Sequence, residues 1–269
     1  MRAFSIVAGH FLLILMIAGS VAAGVSYQDT DALWVEVRDA FASGDRLGIA
    51  GLIASPEGDA GTVSRYFEVE RALYWEAHDL AAEVFVAQQG IAFCLARATI
   101  LSEDDPVVSR QLKAAASRIA FNLASSTWPG WDEEGIRVTA DERELGAAAA
   151  AMALEISGEL DAGAAALANG NWMVGAHHLA AGEPDQAIES FRRAALYGRA
   201  AKDRGTELVS EGFIAITEVT AGRNLEDARR RLADIRQTVD EELEDPGFWT
   251  SQFDTAWRVF VDRKESGVR

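Results

Sequence analysis

"NWMVGAHHLAAGEPDQAIESFRRAAL", residues 171–196, decides how the chain is read. Two readings compete: a site built on the adjacent His177 and His178, or two helices folded back on each other at Gly182. The spacing favours the helices. Ala187, Phe191 and Ala194 recur at i, i+4 and i+7, which places them on one helical face. Gly182 suits the left-handed conformation that ends a helix, and Pro184 suits the first turn of the next. Gly175 lies on the preceding segment. A missing side chain there lets two helix axes approach, and Phe191 fills the space between them. The histidines fit a site poorly. Neighbours on a helix point about 100° apart, so His177 and His178 do not easily grip one ion. No cysteine or third histidine stands nearby to complete a zinc set.

Outward from this stretch the chain reads as helix nearly throughout. Its 269 residues are 49% hydrophobic and 25% charged, an ordinary globular balance, and there are only five prolines. "DALWVEVRDAFASGD" puts Leu33, Val37 and Phe41 on one face, and a short apolar segment, "RLGIAGLIAS", follows. Residues 62–101 repeat apolar positions every three or four, a stretch too long for one globular helix. A break is expected near His78-Asp79 or near Gln89-Gly90. "SEDDP" at 102–106 is a helix start, and that helix should run to about Ser125. "STWPGWDEEG" is a turn-rich loop and the best candidate for a domain boundary, dividing a helical region 24–130 from a second at 131–269. Beyond it, breaks are expected at Gly158, Asn169-Gly170, Gly182 and Ala221-Gly222. "EDPGFWTSQFDTAWRVFVDR" closes the chain as a helix over about 246–263. Its apolar stripe is Trp249, Phe253, Ala256, Trp257 and Phe260. No run alternates as strands do. The expected class is all-α: antiparallel helix pairs forming an α-solenoid or irregular bundle.

With the residues in place, 171–196 resembles a unit of the tetratricopeptide repeat (TPR) family. The match is carried by Gly175, Gly182, Ala187, Phe191 and Ala194 as the structural repeat positions. Trp172 sits one residue from the family's aromatic position, and no proline closes the unit. A second unit stands at "TAGRNLEDARRRLADI", where Ala228, Leu232 and Ile235 repeat the spacing. It follows the first by 41 residues (Ala187 to Ala228), against about 34 in the family. "SGELDAGAAALANG" is a weaker third. The resemblance covers roughly 141–240. It implies a scaffold that holds peptides or protein partners in a groove, not a catalyst.

The N-terminus bears on location. "MRAFSIVAGHFLLILMIAGSVAAG" has one early cation, an apolar run and then small residues, the layout of a secretory signal over residues 1–23. Export to the periplasm or medium is expected; an uncleaved membrane anchor is the alternative. No later stretch reads as long and apolar enough to span a membrane. The single cysteine, Cys94, excludes an intramolecular disulfide and lies in an apolar helical stretch, as a buried structural thiol would. Removing residues 1–23 takes away Arg2 alone from 25 Lys/Arg, leaving 24 against 42 acids, a charge of −18. That balance argues against nucleic acid and against anionic membrane surfaces as partners.

Two features point to binding. Residues 192–236 hold ten Lys/Arg against seven Asp/Glu. Arg192, Arg193, Arg199, Arg229 and Arg230 could grip carboxylates of an acidic protein or peptide, or pair within the molecule. Trp128 and Trp131 flank Pro-Gly, a turn that could expose both rings as a platform or fold them back as a lid. Glu76, Asp79 and Glu83 share a helical face and read as a solvated acidic face, not a metal set. The His-Glu-x-x-His, phosphate-loop, Gly-x-Ser-x-Gly and dinucleotide patterns are missing. No metal or cofactor is expected. The leading expectation is an exported, non-enzymatic scaffold for a protein or peptide partner. One alternative is a periplasmic ligand- or glycan-binding protein using Trp128 and Trp131; another is an envelope hydrolase with a dispersed site. Converging carboxylates in a deep pocket would favour the hydrolase, and an open surface lined by arginine the scaffold.

Overall fold

The computed structural model describes residues 27–263; the signal segment 1–23 lies outside them. Among the described residues there are eleven α-helices and no strand, so the chain is all-α. In chain order they are α1 (Tyr27–Ser43), α2 (Arg46–Ile53), α3 (Asp59–Trp75), α4 (Leu80–Ile100) and α5 (Pro106–Ser126). A 3-10 turn at Pro129–Trp131 leads to α6 (Ala140–Glu159), α7 (Ala164–Ala181), α8 (Pro184–Ala201), α9 (Arg204–Thr220) and α10 (Leu225–Glu242). The chain closes with α11 (Pro246–Trp257), continued by a π-helical turn at Arg258–Asp262.

Local chemistry sets the ends. Asp45, Asp79, Asp105, Asp203 and Asp245 each accept a hydrogen bond from a backbone N–H of the first turn they precede. Thr139 and Glu142 form a reciprocal capping box on α6. Pro106, Pro184 and Pro246 occupy first turns, where a missing N–H costs nothing.

Each helix packs on the next, and the stack has a second order. The odd-numbered helices also touch one another in sequence: α1 on α3, α3 on α5, α5 on α7, α7 on α9, α9 on α11. These helices form one layer of hairpins seen end to end, and the even-numbered helices back it. Adjacent packed pairs of this kind are compatible with a helical-repeat solenoid.

At 171–196 the helices are α7 and α8. A Cβ on Gly175 would lie 2.8 Å from Cδ1 of Phe191, so only glycine allows this approach. Phe191, Ala187 and Ala194 are fully buried. Gly182 closes α7 at φ 76°, and the Glu183 and Gly182 amides donate to the His178 and Leu179 carbonyls. Ala228 and Leu232 of α10 are buried and Ile235 half-buried.

Several expectations need correction. Of the two positions expected for a break in 62–101, the one at His78-Asp79 is found, with His78 at φ 49°; the other is not, since Gly90 lies inside α4, against Tyr66 and Ile119. Gly158 and Asn169-Gly170 do not break helices. Gly158 lies in α6 and Gly170 in α7 packed on Leu154, and the chain turns between them at Asp161 and Gly163. A turn at Lys202, φ 58°, went unforeseen for want of a glycine. Across the loop after α5 the buried cluster is continuous, from Val37 to Val261. Finally, α4 is long and apolar enough to cross a membrane by length and composition, with mean hydropathy 1.2 over its best window. Half of that window is buried in the protein, between α3 and α5, and it carries Glu83.

Candidate functional site

A concavity lies between α3 and α5, two adjacent members of the odd layer. Its volume is about 410 Å³. The walls follow from helical spacing. Val63, Phe67, Glu70 and Tyr74 face it from α3, and Val108, Leu112, Ala115, Arg118 and Asn122 face it from α5. Ala115 is the small residue that keeps the space open, and Trp75 and Arg71 stand at the side.

Charge is set deep in this apolar frame. Glu70 is 3% exposed. Its Oε2 accepts a long hydrogen bond from Asn122 Nδ2 at 3.5 Å, and its Oε1 has no partner. Burial pushes its carboxyl up to about 8, against the pull of Asn122 and the positive charge of Arg118. The Arg118 guanidinium lies over the Phe67 ring at 4.4 Å. Glu68 also lines the groove, and its Oε2 is buried without a partner. Behind Glu70, on α4, Glu83 is fully buried and neither oxygen has a partner of normal geometry. Burial first and Glu70's charge second hold that carboxyl far above its usual range, against the pull of Ser126. The expected solvated acidic face is therefore wrong for Glu83. Asp79 caps α4, and Glu76 is exposed at the end of α3, as a solvated acid would be.

Sequence reasoning passed over Glu70, although a signal was there. Apolar positions at 63, 66/67, 73/74 and 77 leave one gap in the three-to-four rhythm, and Glu70 fills it. A charge inside an apolar stripe is the informative kind of polar residue.

The residues singled out from the sequence lie elsewhere. Trp128 is 1% exposed and donates its indole N–H to the Ala176 carbonyl at 2.8 Å. Its ring meets Trp131, Trp172, Phe213 and Phe260 at centroid distances of 4.7–5.9 Å. Trp131 is half-buried and donates to the Ser125 carbonyl. The open platform is excluded: the pair seals the junction of α5, α7, α9 and the closing turn. The arginines do not converge on one groove. Arg192, Arg193 and Arg199 lie on α8 and Arg229 and Arg230 on α10, with α9 packed on both helices. Arg193 pairs with Glu189 at 3.1 Å, and Arg199 with Glu207 and Glu211 at 2.7 and 3.3 Å. Arg230 pairs with Asp227, and Arg229 lies 5.6 Å from the Trp257 ring. Arg192 is exposed. Arg229 lines a second concavity, with Arg236 of α10 and Asp254 and Trp257 of α11.

His177 is 5% exposed and its Nε2 lies 2.8 Å from the Ala124 carbonyl. Burial lowers its pKa to about 4, so the ring is neutral and donates to that carbonyl. His178 points away and its Nδ1 meets Glu183 at 2.6 Å. Cys94 is buried, and burial pushes its thiol up to about 12. No family model matches the chain, and no curated protein matches it either.

Proposed function

We propose that this chain is an exported, TPR-like scaffold that holds a segment of a protein partner in the groove between α3 and α5, without catalysis. The groove itself carries the reading. It lies in the layer whose helices touch each other, the layer that faces inward when hairpins stack. It combines apolar walls with a few placed polar groups, the composition of a recognition site. The signal-like segment at 1–23 supports export, and the Gly175–Phe191 packing supports the TPR likeness.

A photo-crosslinking amino acid at position 67 tests this. Exposed to envelope extract, it should form an adduct with one partner segment, while the same group at Leu196, exposed on α8, should not. Equal labelling at both positions would refute the groove.

One observation favours a second reading, the hydrolase. Glu70, protonated near neutral pH, is placed as a proton donor would be. A two-carboxylate mechanism needs a second acid facing the same substrate; Glu68 lines the groove, and Glu83 lies outside its lining. Cleavage of the captured segment, lost in Glu70→Gln, would decide for the hydrolase.

A further inference from the structure

We propose that the α3–α5 groove selects a segment presenting a basic side chain, Lys or Arg, with Glu70 as the group that receives it. This rests on the peptide-groove reading above and narrows it.

Two carboxylate oxygens at the groove, Oε1 of Glu70 and Oε2 of Glu68, are buried and make no hydrogen bond. A buried acceptor left unpaired is costly, and an ionised one more so. A donor arriving with its own positive charge removes both costs and forms the stronger, charge-assisted kind of bond. None of the groups facing Glu70 bonds its Oε1. On α3 they are Glu68, Arg71 and Tyr74; on α4, Glu83; on α5, Arg118 and Asn122. Arg118 comes near enough to lower the carboxyl's pKa yet makes no hydrogen bond to it, and spends its guanidinium face on Phe67. Asn122 reaches one oxygen, at the limit of bonding distance. Phe67 and Trp75 provide flat apolar surface for the stem of a long basic side chain. The chain's net charge of −17 steers cations towards it.

A proton accompanies this binding. The raised pKa of Glu70 keeps it largely protonated at neutral pH. A bound cation favours the carboxylate, so the proton leaves as the segment enters. Binding should release up to one proton per segment and tighten as pH rises towards 8.

The test uses a display library of random peptides selected on the mature protein. Binders lost on Ala60→Trp or Val108→Trp, substitutions at the groove's edge that spare the core, are groove binders. They should share one Lys or Arg position. Replacing that residue by norleucine, or the protein's Glu70 by Gln, should each weaken binding about tenfold or more. Calorimetry in buffers of different ionisation enthalpy should show proton release with wild type and none with Glu70→Gln. Circular dichroism and an unchanged affinity for the norleucine peptide establish that Glu70→Gln is folded. Groove binders without a basic position, or indifferent to Glu70→Gln, overturn this inference and leave the groove reading standing. Absence of any groove-dependent binder overturns both.

Discussion

Phe191 and Gly175 hold the α7–α8 junction, and their substitution has opposite geometry. Phe191→Ala removes a fully buried ring and should cost about 3–5 kcal/mol in urea denaturation. Gly175→Leu forces the helices apart and should cost about 1–3 kcal/mol. His178→Ala, which loses a half-exposed pair with Glu183, should cost less than about 1 kcal/mol. A Phe191→Ala protein as stable as wild type would contradict the packing. Two buried titrating residues give stability opposite slopes with pH. His177 binds its proton less readily folded than unfolded. Its contribution is complete above about 6.5 and falls away as pH drops through about 4, on the order of 3 kcal/mol in all. Glu70 is the reverse. Its stabilising neutral form is complete below about 4.5 and its contribution is lost as pH rises through about 8. Urea midpoints against pH should therefore lose their acid-side fall in His177→Gln and flatten between 4.5 and 8 in Glu70→Gln.

At the scale of the element, the helix starts were legible because they are chemical. "SEDDP" became Asp105 and Pro106 at the head of α5, and "EDP" became Asp245 and Pro246 at the head of α11. Asp79→Ala, which removes the cap of α4, should cost about 1 kcal/mol in thermal melting, with Asp79→Asn costing much less. The helix ends were harder to read. Glycine is the usual sign of a left-handed turn, yet His78, Asp161 and Lys202 make such turns here without glycine there. Conversely, Gly158 and Gly170 stay helical, and at Gly170 the reason is a neighbouring helix that no local pattern records. The same blindness to neighbours hid the site. Glu83 looked solvated on its own helix and is buried by the helices beside it.

For the molecule as a whole, the all-α class and the fold of 171–196 followed from periodicity, but the relation between the two halves did not. The Trp128 loop looked like a boundary because it is rich in turn residues, and it is the place where the halves are joined. Its indole bond to Ala176 and its ring contacts with α7 and α9 tie the first five helices to the rest. A fragment of residues 24–130 should therefore lack a cooperative unfolding transition, since Trp128 loses both its partner and its cover. A sharp transition like that of the whole chain would show that residues 24–130 fold on their own. The central claim, that the partner lies between α3 and α5, has a direct test in hydrogen–deuterium exchange of the mature protein with and without its bound segment. The account predicts protection concentrated at 59–75 and 108–126. Protection confined to α8 and α10, with 59–75 and 108–126 unchanged, would contradict it.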